Sequence, residues 1–428
     1  MFIRFLNIWR KIQLNSGLKK KFFFTLFIFL IFRLFSHIPA PMIDLDKLKQ
    51  FFANNTALSL FNVLSGGTLS RFSIMAVGIN PYISASIIIQ LLTMVYPSLK
   101  ELQKDGESGR AKINQYIRII SIPLAIFQSI SVLVLLNSQG LLLSTDPLTL
   151  ISIIFALVAG SMILMWLGEL ISNYGLGNGI SMVLLAGIVS QFPVTFGQVI
   201  NRFSINQIFV YLSFIFLLLG LIYLIVFMNE AVRRLPMQHA RRVRGNRTFG
   251  GQTSFLPIKI NLAGVLPIIF AVSIMMIPAF LGRLLVTLKN SFWSGVGTNL
   301  VNLFSDTSLI YLITYFLVVF FFTFFSALIF FNTKDLAEEL KKSGAFIPGI
   351  RPGGNTQKYL DYVILRISFV GGLFLGLIAI LPTLVQILTQ IGSLAIGGTS
   401  ILIVVSVILE TSKQIDGMMV SQNYEKYH

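Results

Sequence analysis

Long apolar runs separated by short polar segments cover nearly the whole chain. A helix that crosses a bilayer needs about 20 largely apolar residues. The ten runs that come nearest to this requirement are 22–38, 74–95, 119–136, 148–167, 180–192, 208–228, 262–281, 309–331, 367–381 and 391–409. The pattern therefore predicts ten membrane-spanning helices, and an even number places both termini on the same side of the membrane.

The composition agrees with a polytopic membrane protein. Of the 428 residues, 55% are hydrophobic and 11% are charged, against roughly 25% charged in soluble domains. The net charge is +17, because 33 Lys and Arg residues outnumber 16 Asp and Glu residues. DNA-binding proteins share such a charge but not this hydrophobicity. The chain has no cysteine, so disulfides and Cys-ligated metals are excluded, as are soluble and disordered proteins.

The charges are distributed unevenly between the two sides of the predicted membrane. The segments on the side of the termini hold 26 basic and 11 acidic residues, and the opposite loops hold 6 basic and 4 acidic residues. Cytoplasmic loops of membrane proteins carry an excess of Lys and Arg. We therefore expect both termini in the cytosol, or in an organellar equivalent such as the stroma.

The segment before the first span, residues 1–21, has two interpretations. It carries apolar residues at helical spacing among lysines and arginines, which is typical of a helix lying in the membrane interface. The alternative is a cleavable signal peptide. Because Arg33 interrupts the apolar run and no A-x-A cleavage site follows, we expect an interfacial segment that leads into a retained first span.

The sequence offers no candidate catalytic or metal site. It lacks H-E-x-x-H, G-x-x-x-x-G-K-[ST] and G-x-S-x-G, and His37, His239 and His428 lie far apart. Ion-coupled transporters usually carry a carboxylate near the bilayer midplane. The only span carboxylate is Glu169, near a cytosolic end, where we expect an interfacial anchor or a partner of a neighbouring loop. Arg33 is the only basic residue well inside a span, and we expect carbonyls or a polar neighbour to satisfy it.

Two spans begin with helix-breaking residues at equivalent positions. The second begins GINPY at 78–82 and the seventh begins NLAGVLP at 261–267. Interrupted helices at matching places in two halves indicate a pathway between inverted repeats, although ordinary proline kinks are the alternative. Ile79 with Ile83, and Ile180 with Leu184, are one helical turn apart and share a face.

Two cytosolic loops are longer than topology requires. Residues 229–261 carry seven basic residues and one acid, and residues 332–366 contain the string FIPGIRP. A basic loop can serve only to orient the chain. The glycines among these arginines and the length of the loop instead favour a docking surface for something anionic, such as ribosomal RNA or an acidic protein face.

Several strings resemble the SecY family, whose members are channel subunits of the Sec protein translocase. They are SGG at 65–67, GINPYISASIIIQ at 78–90, MWLGE at 165–169, GNGIS at 177–181, LPIKINLAGV at 256–265, FIPGIRP at 346–352 and GGTS at 397–400. The resemblance implies an all-α membrane protein, with ten transmembrane helices in two pseudo-symmetric five-helix halves around a central hourglass pore with a plug helix. The expected parts are an amphipathic segment 1–21, halves at 22–200 and 201–409, and a cytosolic tail 410–428.

The resemblance also implies four groups of functional residues. The pore ring comprises Ile79, Ile83, Ile180, Leu184, Ile269 and Ile403. The plug, at about 60–71, includes Leu60, Ser65, Gly66, Gly67 and Arg71. The lateral gate between the second and seventh spans includes Ser84, Ile87, Gln90, Asn178 and Ile277, with Gln90 and Asn178 as polar contacts that hold it closed. The motor or ribosome docks at Arg241, Arg242, Arg244 and Arg351.

The implied partners are a SecE-like subunit, a SecG-like subunit, the SecA motor or a ribosome, signal-bearing precursors and membrane lipids, with no DNA and no cofactor. A solute transporter of five-plus-five symmetry and an intramembrane protease are the alternatives from other classes. A transporter would be expected to have a midplane carboxylate and short cytosolic loops, and this sequence has neither. An intramembrane protease would need a catalytic motif, and none of those searched for occurs. The 39 phenylalanines favour an AT-rich genome, and so a plastid thylakoid membrane, with a bacterial inner membrane as the alternative.

Overall fold

The computed structural model describes most of the chain as helix. The described residues are 15–41, 44, 47–48, 66–138, 140–143, 146–201, 208–239, 242–244, 247–249, 253–262, 264–286, 290–305, 308–389 and 398–425. The helices before residue 202 are α1 Ser16–Phe35, α2 Asn80–Val95, α3 Pro97–Lys104, α4 Gly106–Ser138, α5 Pro147–Tyr174 and α6 Gly179–Asn201. Those after it are α7 Ile208–Glu230, α8 Leu266–Val286, α9 Ser291–Leu303, α10 Leu309–Phe330, α11 Thr333–Lys342, α12 Gly354–Thr389 and α13 Gly398–Glu425.

Each of the ten predicted apolar runs overlaps one of these helices. Within the described residues, four segments are long and apolar enough by themselves to cross a membrane, namely Gly106–Val134, Pro147–Tyr174, Leu309–Lys342 and Gly354–Leu381. The pair formed by α2 and α3 passes the same test together, with a bend of 105° between its two parts. Shorter apolar helices lie at Gly179–Val194, Ile215–Glu230 and Leu266–Met275.

The helices in the second and seventh apolar runs begin later than the pattern predicts, and for the same reason. Gly78 has φ +69° and Gly264 has φ +65°, a conformation that disfavours other residues and stops a helix from extending backwards. Each helix starts two residues after its glycine and has a proline, Pro81 or Pro267, as its second residue. Proline suits the first turn of a helix, where its missing N–H costs nothing. The two helices are therefore initiated by the same local device.

The prediction of an all-α protein is incomplete, because five short strands lie in the two long loops. The strands are β1 Val232–His239, β2 Arg242–Arg244, β3 Arg247–Phe249, β4 Thr253–Lys259 and β5 Ala345–Phe346. β1 pairs with β4 and with β5, both antiparallel, in a sheet of order β4-β1-β5. β2 and β3 form a separate antiparallel pair. Prolines and arginines obscure the strand alternation in this part of the sequence.

Two hydrophobic clusters hold the apolar helices together. The central cluster takes buried residues from α1, α2, α4, α5 and α6, and adds Phe270 of α8 and Ile403 and Val407 of α13. The second cluster is built from α7, α8, α10, α12 and α13. Helices α8 and α13 therefore contribute to both clusters and join the earlier helices to the later ones.

Candidate functional site

The six aliphatic residues of the expected pore ring come from four parts of the chain and lie in or against one hydrophobic cluster. Ile79 immediately precedes α2, and Ile83 belongs to α2, Ile180 and Leu184 to α6, Ile269 to α8 and Ile403 to α13. All six belong to the central hydrophobic cluster or pack directly against it. The structure thus brings together residues that are more than 300 positions apart in sequence.

The six side chains fall into a buried group and a partly exposed group. Four are almost fully buried, since Ile79, Ile83, Leu184 and Ile403 are between 2% and 7% exposed. Ile180 and Ile269 are partly exposed. A narrow constriction lined with aliphatic side chains expels water and blocks ions, yet it has no directional bonds to break when it widens.

The glycines of the expected plug lie against α6. Gly66 and Gly67 have φ +75° and +80°, which favours glycine. A Cβ atom on Gly66 would lie 2.8 Å from Cα of Gly187, and one on Gly67 would lie 1.8 Å from Nε2 of Gln191. This turn therefore sits closely against one face of α6.

The described part of the expected plug, residues 66–71 with Arg71, forms consecutive turns and no helix. Its first two residues, Gly66 and Gly67, both have positive φ, which a right-handed helix does not allow. Leu60 and Ser65 lie outside the described residues.

Arg33 connects this turn to two helices. Its Nη1 donates hydrogen bonds to the carbonyl oxygen of Gly66 at 3.4 Å and to Oγ of Ser190 at 3.1 Å. Arg71 donates to Nε2 of His37, while Nδ1 of His37 donates to the carbonyl oxygen of Arg33 at 2.8 Å. The expectation that a carbonyl and a polar neighbour satisfy Arg33 is confirmed. The sequence did not reveal which carbonyl it was.

Four of the five expected gate residues lie on α2 and α8, and the fifth, Asn178, immediately precedes α6. Helices α2 and α8 are in contact, with Ile87 buried on α2 and Ser84 partly exposed. Gln90 donates to Oγ of Ser86 at 3.5 Å, within its own helix. Ile277 belongs to α8, and its side chain lies outside the described ones.

Asn178, expected among the polar contacts of the gate, caps the helix that follows it. Its Oδ1 accepts hydrogen bonds from the backbone N–H groups of Ile180 at 3.1 Å and Ser181 at 3.4 Å. Asparagine commonly caps a helix N-terminus in this way, because its short side chain reaches the first free N–H groups. Among the described side chains, the Gln90 and Asn178 bonds are therefore local to α2 and α6.

A polar cluster that the sequence did not predict lies where α8 begins. Nδ2 of Asn261 donates to Oδ1 of Asn229 at 2.8 Å, and Oδ1 of Asn261 accepts from the N–H of Gly264 at 3.0 Å. Nδ2 of Asn229 donates to Oγ of Ser406 on α13 at 2.9 Å. Nζ of Lys413 donates to the carbonyl oxygen of Asn229 at 3.4 Å. We call this group the asparagine cluster; it ties α7, the start of α8 and α13 together.

The two long loops form a single unit, which we call the platform: β1, β4 and residues 333–366, which include α11, β5 and the start of α12. The sheet pairs Gln238 of the first loop with Phe346 of the second. Leu235, Ile258, Ile347 and Leu360 are among the buried residues of its small core. A surface built from both loops can present charges from each of them to one partner.

The structure describes the side chain of only one of the four expected docking arginines. Arg351 is exposed and follows β5. Arg242 and Arg244 belong to β2, but their side chains lie outside the described ones, and Arg241 lies outside the described residues altogether. Arg233 and Arg234, at the start of β1, are exposed as well.

Glu169 pairs with Arg118, which the sequence pattern places at the end of the segment 96–118 and the structure places within α4. Nε of Arg118 on α4 donates to Oε1 of Glu169 at 2.7 Å, and Nη2 of Arg118 lies 2.6 Å from Oε2 of Glu169. The side chain of Glu169 is 18% exposed and that of Arg118 is 51% exposed. A bidentate guanidinium–carboxylate pair of this kind fixes both position and orientation.

The sequence comparisons agree on one family. The SecY family model matches residues 73–412. A protein translocase subunit SecY of Pseudomonas aeruginosa is 41% identical over 418 residues, with 96% of this chain and 94% of the relative covered. The Escherichia coli K12 protein of the same name is 40% identical over 420 residues, with 95% and 93% covered.

Solved structures show the same fold at lower sequence identity. A structure described as "The structure of a protein conducting channel" aligns with a TM-score of 0.63 at 19% identity, covering 94% of this chain and 93% of that one. Sec61 in the canine ribosome-channel complex aligns with a TM-score of 0.58 at 18% identity, with the same coverage. At such identities the likeness concerns the fold.

Proposed function

The chain belongs to the SecY family, and from that premise we propose that it forms the protein-conducting channel of a Sec translocase. The channel passes unfolded, signal-bearing polypeptides across the membrane and releases membrane segments sideways into lipid. The observation that carries this proposal is the convergence of six aliphatic residues from α2, α6, α8 and α13. Such a ring can widen around a passing chain of any sequence and close again without specific bonds.

The proposed architecture is ten membrane spans in two halves. The helices of the first half are α1, α2, α4, α5 and α6, and those of the second are α7, α8, α10, α12 and α13. Their division between two hydrophobic clusters supports this arrangement. The matched starts of α2 and α8, each after a glycine with positive φ, support an internal repeat. Repeats of this kind place the pathway at the interface between the halves.

The proposed plug is the segment around residues 60–71. In the closed channel, the turn at Gly66 and Gly67 rests on α6 and is held by Arg33. Its irregular backbone at membrane depth is tolerable because it packs against protein and not against lipid. Opening requires this contact to break as the polypeptide enters.

The proposed lateral gate lies between α2 and α8. A signal helix that binds there replaces contacts between the two helices and so shifts the equilibrium from closed to open. Ser84, Ile87, Gln90 and Ile277 are its proposed lining on the two helices. Asn178 contributes indirectly, since its cap fixes the N-terminus of α6, which carries Ile180 and Leu184.

The proposed docking surface for a motor or ribosome is the platform together with β2 and β3. Arg351 is exposed there, and Arg241, Arg242 and Arg244 follow β1 in the first loop. We propose a SecE-like and a SecG-like subunit as membrane partners and SecA or a ribosome as the source of directed movement. The canine relative is described in a ribosome-channel complex. The chain itself is proposed to be non-enzymatic.

The proposed location is a membrane in which both termini face the basic side. The relatives described above are bacterial, which supports a bacterial inner membrane with cytoplasmic termini. The abundance of phenylalanine supports a plastid thylakoid membrane with stromal termini. Fractionation of the source cells with an antibody against the C-terminal tail distinguishes these two locations.

Reconstitution tests the proposed function. The full chain is placed in vesicles with its SecE-like subunit, and SecA, ATP and a signal-bearing precursor are added outside. We expect part of the precursor to become protected from protease, and a precursor lacking its signal to remain accessible. If both precursors stay accessible while the chain is correctly inserted, the proposed function is wrong.

A further inference from the structure

The imidazole of His37 links the end of α1 to the turn that contains Gly66 and Gly67. Its Nδ1 lies 2.8 Å from the carbonyl oxygen of Arg33, and its Nε2 accepts a hydrogen bond from the guanidinium of Arg71. Arginine has no acceptor, so Nε2 carries no proton, and the one proton of the neutral ring lies on Nδ1. The contacts of the ring therefore require the neutral form of His37.

His37 is accessible to protons at the end of α1 that lies away from the basic start of the helix. α1 has 20 residues, which extend over roughly 30 Å. Lys19, Lys20 and Lys21 lie near its start, and His37 lies just beyond its last residue, Phe35. The side chain of His37 is exposed. The proposed topology places it on the side of the membrane opposite to the termini.

Two permanent positive charges face the ring, and within the described part of the chain no carboxylate pairs with them. Arg33 on α1 and Arg71 in the turn supply the charges. The segment after α1 carries Asp44 and Lys47, which pair with each other at 3.4 Å. Helix α6, against which the turn packs, has no titratable residue. A positive charge on His37 would therefore meet only like charges at these contacts.

We propose that His37 is a pH-sensitive latch of the plug, an inference that rests on the proposed channel function. The neutral ring accepts the hydrogen bond from Arg71 and holds the turn against α1. A protonated ring carries an N–H at both nitrogens, so it loses this acceptor and adds a third positive charge beside the two arginines. Protonation therefore disfavours the closed channel, and acid on the side opposite to the termini shifts the equilibrium towards the open channel.

The backbone next to the turn is held by bonds that do not titrate. The N–H of Ala40 donates to the carbonyl oxygen of Phe72 at 2.7 Å, and the N–H of Ile74 donates to the carbonyl oxygen of Ile38 at 3.0 Å. These bonds join the segment after α1 to the segment after the turn at every pH. Release of the latch therefore frees residues 66–71 without unfolding the junction that follows them.

Ion efflux from vesicles without precursor tests the latch, when each side of the membrane is acidified separately. The full chain is inserted in one orientation with its SecE-like subunit, and protease access to the C-terminal tail checks the orientation. Histidine changes its charge between about pH 5 and 8. We expect efflux to rise roughly ten-fold when the side opposite to the termini is changed from about pH 8 to about pH 5, the effect of losing one hydrogen bond to a charged group.

The same vesicles provide a control for the other two histidines. His239 and His428 lie on the side of the termini in the proposed topology. Acid on that side alone should therefore leave the efflux unchanged. A rise that depends on this side would overturn the assignment to His37.

Two substitutions at position 37 should have opposite effects. His37→Gln retains an oxygen that can accept from Arg71 but does not titrate, so efflux should stay low at both pH values. His37→Phe retains an aromatic ring but no acceptor, so efflux should be high at both. An acid-dependent rise that persists in His37→Gln would overturn the proposal.

Failure of the latch and failure of the proposed function give different results. Equal efflux at the two pH values in the parent protein overturns the latch, whether or not the variants insert well. Precursor protection is measured separately at about pH 8, where His37 is neutral. A protected precursor together with pH-independent efflux means that only the latch is wrong. An unprotected precursor in correctly inserted chains means that the proposed function is wrong, and the latch with it.

Discussion

Asn261 donates a hydrogen bond to Oδ1 of Asn229 at 2.8 Å and, through its own Oδ1, accepts one from the N–H of Gly264. The first bond joins the end of α7 to the segment that starts α8, and the second fixes the turn from which α8 begins. Since β4 ends at Lys259 and α8 begins at Leu266, Asn261 lies between the platform and the proposed gate helix. The asparagine cluster therefore ties the end of α7 to the segment that joins these two parts.

Replacing Asn261 should weaken the fold at this junction. Asn261 is 6% exposed. Asn261→Ala removes the donor to Oδ1 of Asn229 and the acceptor of the Gly264 N–H. Each buried polar group left unsatisfied costs about 1–3 kcal/mol. We expect a clearly lower unfolding midpoint in detergent, measured by thermal denaturation. Asn355→Ala, at an exposed position of α12, is the control and should leave the midpoint unchanged. An unchanged midpoint for Asn261→Ala means that the cluster does not stabilise the junction.

Replacing Arg33 should release the turn at Gly66 and Gly67. Arg33→Gln removes the charged donor to Gly66 and Ser190. The closed state should lose about 1.5 kcal/mol of stability, which lowers the ratio of closed to open channels roughly ten-fold. Ion efflux from vesicles without precursor should therefore rise. Arg366→Gln removes an exposed arginine that stacks on Tyr362 and should not change the efflux. Equal efflux from the Arg33 variant and the parent protein would show that Arg33 does not hold the plug.

Adding a methyl group to Gly66 should have a similar effect through packing. Gly66→Ala places a Cβ 2.8 Å from Cα of Gly187, which is backbone and cannot move aside. Gly140 provides a matched control, because it also has a positive φ, +65°, but nothing lies within 4 Å of its Cβ position. Both variants bear the backbone strain of about 1–2 kcal/mol. Only Gly66→Ala should raise ion efflux, and a rise in both would attribute the effect to strain alone.

The Arg118–Glu169 pair should stabilise the contact between α4 and α5. In a double-mutant cycle with Arg118→Gln and Glu169→Gln, we expect a coupling free energy of about 1–2 kcal/mol, because the pair is bidentate and Glu169 is mostly buried. Thermal denaturation of the four proteins measures it. A coupling near zero would mean that solvent screens this pair as it does ordinary surface ion pairs.

The sequence predicted the apolar helices well, because hydrophobic length alone marks them. Through the resemblance it also named six aliphatic residues as a pore ring; all six lie in or against the central hydrophobic cluster, and the ring itself stays a prediction. The starts of α2 and α8 were placed several residues too early. Apolar residues continue through both turns, and the positive φ of Gly78 and Gly264 leaves no trace in hydropathy.

The strands and the long-range polar contacts could not be predicted from the pattern. β1 pairs with β5 more than 100 residues away, and Asn229 meets Ser406, so neither contact has a periodic signal. Gln90 and Asn178, expected among the polar contacts that hold the gate closed, make local bonds in the described structure, and their part in the gate stays a prediction. An asparagine before a helix satisfies free N–H groups more readily than a distant partner, and the sequence GNG at 177–179 could have indicated this cap.

Disulfide crosslinking to a stalled precursor tests the central claim, a polypeptide path through the aliphatic ring, most directly. The chain has no cysteine, so one cysteine can be placed at Ile83 in the ring and another, separately, at Leu218 of α7 in the second hydrophobic cluster. A precursor with one mid-chain cysteine is stalled during export and oxidised. We predict a signal-dependent adduct at position 83 and none at position 218. Equal adducts at both positions, or none at 83 while export proceeds, would contradict the pathway.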